Sequence, residues 1–287
     1  MTDQAKGLII TLFGVLFVVP DSLFVRLIDA PTLTIVFWRS LTQGLVLLVV
    51  MLIIHRASYP QKIRQVGSVA IPFSVTITIS GIMFISSVSH TTVANAVIIL
   101  ATVPIFAALV SWVWLREKVS KRMAWTMCFA FIGVGVIAYG SFDPNSASTL
   151  LGDALALGAA ALFATSITCA RSVRPASVTP VVPLAFLSLS LCLLPFIDIW
   201  DVADEDWILV ALHGGFFIAI SSALLSFGPK FITSAEVALL ILLESLLAPL
   251  LAWFVIGEVP GSWSLWGGAI VLATLVVSNL IALRKTK

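Results

Sequence analysis

Four ionisable side chains lie well inside apolar stretches of this sequence, where a charge is costly unless it is paired or faces water. They are Asp21, Arg39, His213 and Glu244. In such surroundings a carboxylate, a guanidinium or an imidazole can hold a proton, an ion or a charged part of a small molecule. These four residues are therefore the main candidates for a binding or coupling site.

Asp21 and Arg39 are predicted to form an ion pair. Asp21 lies six residues before the end of its apolar stretch, and Arg39 lies seven residues after the start of the next one. Both are therefore about 10 Å from the same side of the membrane, since a helix rises 1.5 Å per residue. Two roles remain open for the pair. It either fixes the packing of two helices or lines a cavity that binds an amino or carboxylate group, and the planar fork of an arginine suits a carboxylate. Trp38, next to Arg39, either lines the same cavity or packs between helices.

Glu244 and His213 each have two interpretations. Glu244 lies about eight residues into its stretch, or about 12 Å deep and near the midplane. It is either a site for a proton or a cationic substrate group, or a protonated carboxyl bonded to a neighbouring helix. His213 falls in the same layer as Asp21 and Arg39, and Gly214 and Gly215 follow it, which would let a helix or substrate approach closely. It is either a packing group or a substrate or proton site.

Ten apolar stretches must position these residues. Each is long enough to cross the apolar layer of a bilayer as an α-helix, which takes about 20 residues. The stretches are 7–27, 32–54, 66–89, 92–115, 122–141, 150–170, 178–199, 207–229, 234–256 and 262–283.

The distribution of basic residues predicts the topology. Fourteen of the sixteen Lys and Arg residues lie on the side that holds the N-terminus, and the exceptions are Arg26 and Arg39. Short loops with this bias face the cytoplasm. We therefore expect a multi-pass protein of the plasma membrane, the inner membrane in a bacterium, with both termini in the cytoplasm.

Composition restricts the function classes. Hydrophobic residues make up 60% and charged residues 10%, whereas soluble domains carry about 25% charged residues. The net charge of +2 reflects topology and gives no sign of a nucleic-acid partner. Cys128, Cys169 and Cys192 occur singly, and no spacing predicts a metal, a disulfide or a cofactor. The expected partners are the lipid bilayer, a small-molecule substrate and protons as coupling ion, with the chain a monomer or weak dimer.

The chain is predicted to be an internal repeat. An offset of 141 residues places Trp112, Glu117 and Trp125 on Trp253, Glu258 and Trp266. The two units, 1–145 and 146–287, each hold five helices, so the second must enter the membrane in the opposite orientation. Inverted repeats of this kind are typical of secondary transporters. The predicted fold class is an all-α integral membrane protein with ten transmembrane helices in two inverted five-helix repeats.

Two segments resemble the fourth and ninth helices of EamA-type proteins, which belong to the drug/metabolite transporter superfamily. They read SHTTVANAVIILATVPIFAALVSWVWLREKVSKRMAW at 89–125 and KFITSAEVALLILLESLLAPLLAWFVIGEVPGSWSLWGG at 230–268, and FWRS at 37–40 resembles that family's arginine motif. The resemblance implies helices around a central cavity and the export or uptake of small metabolites without ATP hydrolysis.

The second repeat departs from the family pattern beside Glu244. The family usually has Glu-Pro here, whereas Ser245 follows Glu244 and the proline comes at Pro249. This departure affects the expected shape of a pocket at Ser245. Pro104 and Pro249 are predicted to kink their helices near mid-membrane, as hinges and cavity-shaping residues or as passive kinks.

The sequence favours a secondary active transporter over an enzyme or a channel. It contains no HExxH, no GxGD and no cluster of histidines with carboxylates, and it shows no ring of like charges that would form a selectivity filter. One Arg, one Asp and one Glu within the membrane favour a small zwitterion such as an amino acid, exported by alternating access. The alternative is a proton-coupled exporter of lipophilic cationic drugs, since a lone midplane carboxylate also suits a cation.

Overall fold

The computed structural model is all-helical over the residues it describes, and those residues contain no β-strand. The structure describes residues 3–114, 116, 121–140, 149–173, 176–227 and 234–285. The predicted boundary between the repeats at 145/146 and the landmark Glu117 lie outside this part of the chain.

Fourteen α-helices cover the described residues. In chain order they are α1 (Asp3–Val18), α2 (Asp21–Leu27), α3 (Thr32–His55), α4 (Tyr59–Val66), α5 (Ala70–His90), α6 (Val93–Leu100), α7 (Val103–Trp114), α8 (Lys121–Gly140), α9 (Leu150–Ser172), α10 (Val182–Leu193), α11 (Trp207–Val210), α12 (Ala219–Phe227), α13 (Ser234–Ile256) and α14 (Ser262–Lys285). A π-helix at Ala211–Ile218 joins α11 to α12.

Six helical segments of the described chain are long and apolar enough to cross a membrane. One of them, Thr32–His90, contains both α3 and α5, and three shorter apolar helices lie at Ala124–Gly140, Leu243–Ile256 and Ser262–Ser278. The protein is therefore a multi-pass membrane protein, while the count of ten crossings stays a prediction.

Three predicted spans are interrupted. The first divides into α1 and α2 at Val19 and Pro20, because proline has no N–H to donate and its ring disfavours a helical conformation in the preceding residue. The fourth divides into α6 and α7 at Ala101–Thr102, and the eighth contains the π-helix. Breaks of this kind in membrane helices are tolerated only against protein or a water-filled cavity.

The tryptophans that the offset of 141 residues matches have similar surroundings. Trp112 and Trp253 are 55% and 56% exposed, as expected for equivalent side chains on the outside of a helical bundle.

Helix packing pairs the two halves of the chain with each other. Residues of α5 pack against α9 and those of α1 against α12. These contacts are equivalent if the first and third spans, α1 and α5, correspond to the sixth and eighth, α9 and α12. The contacts of α7 with α9 and of α1 with α13 are related in the same way. Three further contacts each join a helix to its own counterpart in the other repeat: α3 with α10, α6 with α13 and α8 with α14. The two-repeat architecture is therefore present in the packing as well as in the sequence.

Glycines permit the closest of these contacts. A Cβ on Gly133 of α8 would lie 2.8 Å from the carbonyl oxygen of Gly267 on α14, and a Cβ on Gly267 would lie 2.6 Å from that of Gly133. Small residues at such crossings let membrane helices pack through van der Waals contact.

Candidate functional site

Asp21, Arg39 and His213 meet in one buried cluster. Arg39 Nε donates to Asp21 Oδ1 at 3.0 Å and Arg39 Nη2 donates to Asp21 Oδ2 at 2.7 Å, a bidentate geometry. His213 Nε2 lies 2.6 Å from Asp21 Oδ1 and donates to it as a neutral or a charged ring. Asp21 is 3% exposed and His213 is 1% exposed. The predicted ion pair of Asp21 and Arg39 is present, and His213 joins it through Asp21.

Irregular backbone brings these residues together. Asp21 is the first residue of α2, directly after the break at Pro20, and His213 lies in the π-helix Ala211–Ile218. Phe24, one turn after Asp21, stacks on the His213 ring with centroids 5.3 Å apart and an angle of 14°. The imidazole is therefore held on one face by an aromatic ring and at one edge by a carboxylate.

Gly214 fixes the distance between the π-helix and α3. A Cβ at this position would lie 2.5 Å from the Arg39 carbonyl oxygen and 2.8 Å from Arg39 Cα. Gly215 leaves more room, since its nearest neighbour would be Thr42 Cβ at 3.6 Å. Gly214 was predicted to let a helix or a substrate approach closely. The element that approaches it is helix α3, at Arg39.

Arg39 has one hydrogen-bonding edge that no described residue occupies. Its Nε and Nη2 bind Asp21, but Nη1 takes part in none of the hydrogen bonds of the described chain, and the side chain keeps 10% of its surface exposed. A free guanidinium edge of this kind binds a carboxylate or another anionic group.

Glu244 is near this cluster but not part of it. It lies inside α13 and is only partly buried, and it forms no hydrogen bond or ion pair with another described residue. The charges of Asp21 and Arg39 act on it through space. A carboxyl group without a protein partner is available to a proton or to a cationic group.

The helix around Glu244 contains the other residues predicted from the second repeat. Ser245 is buried, and its hydroxyl donates to the Val97 carbonyl oxygen of α6 at 3.4 Å. Pro249 lies inside α13, which continues past it. Pro104 is the second residue of α7, directly after the interruption at Ala101–Thr102. The fourth span therefore departs from a straight helix in the turn before Pro104, where a proline ring clashes with the backbone. Its role as a hinge stays a prediction.

Trp38 is bound to the loop that contains Ile199, at one end of the bundle. Its Nε1 donates to the Ile199 carbonyl oxygen at 2.9 Å, and its ring packs edge-on against that of Trp207 with ring centroids 5.1 Å apart. Thr34 and Asp29 make further contacts with the same loop. Thr34 donates to the Asp198 carbonyl oxygen at 3.4 Å, and the Asp29 backbone N–H donates to Asp206 Oδ2 at 2.7 Å.

A second polar cluster joins the repeats at this end. Arg26 Nη2 donates to the Thr91 carbonyl oxygen at 2.6 Å, and Arg26 Nε lies 3.3 Å from Glu258 Oε2. Glu258 Oε1 also accepts the Val93 backbone N–H at the start of α6, at 2.5 Å. Beside it, the Asp153 carboxylate accepts from the Thr91 hydroxyl at 2.8 Å. The two repeats are thus bound together at this end by charged groups.

Sequence reasoning missed the second cluster and the elements that shape the first. Pro20 directly before Asp21 is a signal for the break that precedes α2. The π-helix has a weaker signal in the pair Gly214–Gly215. No sequence signal predicts the contact of Arg26 with Glu258, because these residues are far apart in the chain and meet only through the packing of α2 and α13.

A surface cavity lies between the Asp29–Pro31 and Trp200–Ala203 segments. None of the predicted site residues lines it. Within the described residues, no group of three or more His, Cys, Asp and Glu residues is arranged to hold a metal ion.

Comparison with known proteins gives a family and a fold. The family model described as the EamA-like transporter family matches residues 5–139 and 150–280. A solved structure described as "Crystal structure of protein" aligns with a TM-score of 0.65 and 17% sequence identity, covering 97% of this chain and 99% of that chain. At this identity the likeness concerns the fold alone. No curated protein matches the sequence.

Proposed function

The chain belongs to the EamA-like transporter family, and we propose that it exports small zwitterions such as amino acids by alternating access. Arg39 binds the carboxylate of the substrate and Glu244 binds its ammonium group. Asp21 and His213 hold Arg39 in position, and Ser245, Trp38, Pro104 and Pro249 shape the surrounding cavity.

The hydrogen bonds of Arg39 support this assignment, because Asp21 occupies only some of its nitrogens. Asp21 binds Nε and Nη2 and leaves Nη1 uncommitted, while Glu244 has no protein partner among the described residues. Two partly buried groups of opposite charge, each with unused hydrogen-bonding capacity among the described residues, suit a ligand that carries one charge of each sign. A buried ion pair that served only packing would be expected to satisfy both partners.

The predicted topology is supported by which residues touch. Arg26 with Glu258, and Asp29 with Asp206, join residues that the sequence assigns to the outer side. At the opposite end, the Tyr59 hydroxyl donates to the Pro180 carbonyl oxygen at 2.8 Å, between two loops assigned to the cytoplasm. The related packing of α5 with α9 and of α1 with α12 further favours two inverted five-helix repeats. Such repeats can exchange inner and outer access by rocking about a central site.

A proton-coupled exporter of lipophilic cations is the second candidate. The unpartnered Glu244 carboxyl favours it, because one such group near the midplane suffices to exchange a proton for a cation. Arg39 is the argument against it, since a cation would gain nothing from a free guanidinium edge.

Flux measurements in proteoliposomes test the proposal. The purified protein would be presented with a panel of radiolabelled amino acids, nucleobases and organic cations, with and without a proton gradient. We expect saturable exchange of one or more amino acids and none of the organic cations. Saturable transport of organic cations alone would replace the proposal with the second candidate.

A further inference from the structure

Gly81 of α5 borders the free edge of Arg39. A Cβ built on Gly81 would lie 3.9 Å from Arg39 Nη1, and no other atom outside its own helix would be within 4 Å. Gly81 is only partly buried. The backbone of α5 at Gly81 thus lies next to the unused edge of the guanidinium, and no Cβ stands between them.

Packing does not explain this glycine. Gly14, Gly158 and Gly214 would each bring a Cβ within 3.0 Å of a neighbouring helix, so close contact requires them. Gly81 has no such contact, and its φ is not positive. A glycine inside a helix costs about 1 kcal/mol relative to alanine, and here neither helix packing nor backbone conformation offsets that cost.

We propose that Gly81 determines the specificity of the transporter. The absence of a side chain leaves room for the substrate carboxylate to bind Arg39 Nη1, with the α-carbon of an amino acid next to the α5 backbone. This inference rests on the proposed function and adds to it a size limit at one defined position. A methyl group at position 81 would make an ordinary van der Waals contact with Nη1, whereas a longer side chain would cover it.

A size series at position 81 tests the inference. In proteoliposomes that exchange an amino acid, we expect Gly81→Ala to raise KM by no more than about threefold, because a methyl takes only part of the room at Nη1. Gly81→Leu should raise KM at least about tenfold, which is the loss of about 1.4 kcal/mol of binding. Gly135→Leu is the matched control, because Gly135 is an exposed helical glycine with no atom near its Cβ position. An unchanged KM in Gly81→Leu would overturn the inference.

Thiol labelling provides a second measurement that does not depend on Gly81→Leu folding. Gly81→Cys would be made after Cys128, Cys169 and Cys192 are replaced by alanine, and would be treated with an anionic methanethiosulfonate reagent. We expect the transported amino acid to slow labelling in proportion to its occupancy of the site. Labelling that the substrate does not affect would overturn the role of Gly81. If the wild type exchanges no zwitterion at all, the proposed function itself is wrong. That result differs from labelling that the substrate does not affect, which would overturn only the role of Gly81.

Discussion

At the residue scale, the candidate site divides its charges between fixed and available groups. Asp21 is saturated by Arg39 and His213, so it has little capacity left for a ligand. Arg39 Nη1 and the Glu244 carboxyl are the groups with unused capacity. In the proposed function, Asp21 and His213 accordingly act as positioning residues, and Arg39 and Glu244 contact the substrate.

Replacing Glu244 with glutamine tests the coupling role of its charge. The amide keeps the shape and hydrogen-bonding capacity of the side chain, so Glu244→Gln should fold. It should abolish accumulation driven by a proton gradient, because the amide cannot alternate between a proton and a cationic group, while downhill exchange continues. Glu244→Asp should retain part of the coupled transport. Uphill and downhill uptake in proteoliposomes provide the readout.

The control for this change is Glu205→Gln, which alters the charge of an exposed carboxylate just before the apolar stretch 207–229. It should transport as the wild type does. Normal uphill transport by Glu244→Gln would show that coupling does not run through Glu244, and Asp21 with its partner Arg39 would become the next candidate.

The sequence predicted part of this site. Equal depth on consecutive antiparallel helices was enough to pair Asp21 with Arg39. It also placed His213 in the same layer, but not its bond to Asp21, because 192 residues separate the two and their contact depends on how α2 packs against the π-helix. The free edge of Arg39 could not be predicted either, since it depends on which guanidinium nitrogens Asp21 occupies.

At the scale of secondary structure, the repeat offset pairs tryptophans of similar exposure, and the interruptions are not predictable from periodicity. Trp112 and Trp253 are 55% and 56% exposed. The interruption at Ala101–Thr102 lies just before Pro104, which is its sequence signal. It divides a span that hydropathy treats as continuous, because apolar periodicity does not distinguish a straight helix from two shorter ones.

Adjacent glycines in the π-helix give a matched pair of variants. Gly214→Ala would place a methyl group 2.5 Å from the Arg39 carbonyl oxygen, so α3 must move and displace the guanidinium. We expect a loss of about 1–3 kcal/mol in stability, the usual range for overpacking, and a fall in transport. Gly215→Ala, with its nearest neighbour at 3.6 Å, should be close to wild type. Thermal unfolding in detergent and exchange rates measure both effects, and equal behaviour of the two variants would refute this account of α3 positioning.

Pro249 is expected to affect turnover more than affinity. It removes a hydrogen bond inside α13, the helix that carries Glu244, so Pro249→Ala should straighten and stiffen that helix. We expect a several-fold fall in kcat with KM nearly unchanged, as for a conformational step. Pro104→Ala is expected to act in the same direction next to the break before α7. Pro60→Ala, in the first turn of α4, is the control. Wild-type turnover in both Pro104→Ala and Pro249→Ala would assign these prolines to passive packing.

At the scale of the whole molecule, the two repeats are held together by the Arg26–Glu258 pair and its backbone partners, at the end that the sequence predicts to face outward. In an alternating-access transporter these contacts must separate when the site opens outward. Both side chains keep part of their surface exposed, and exposed pairs contribute up to about 1 kcal/mol. The pair should therefore bias the equilibrium between the two open states rather than lock it.

Glu258→Gln isolates the ion pair, because the amide oxygen can still accept the Val93 N–H. We expect the outward-open population to rise up to about fivefold, which corresponds to about 1 kcal/mol. The readout is the reaction rate of Ser22→Cys, a buried position on α2, with an impermeant thiol reagent added outside cells that express a chain free of native cysteines. Glu205→Gln in the same background should leave the rate unchanged. No acceleration in Glu258→Gln would show that the pair does not restrain the outer side.

Exchange of three matched compounds tests the central claim most directly. Proteoliposomes containing the wild-type protein would be offered an amino acid that they transport, its amide, which lacks the anionic group, and its deaminated acid, which lacks the cationic group. The account predicts saturable exchange of the amino acid and at least about tenfold weaker binding of each analogue, because each loses one charged partner, Arg39 or Glu244. Exchange of the amide as efficient as that of the amino acid would contradict a zwitterion site at Arg39 and Glu244.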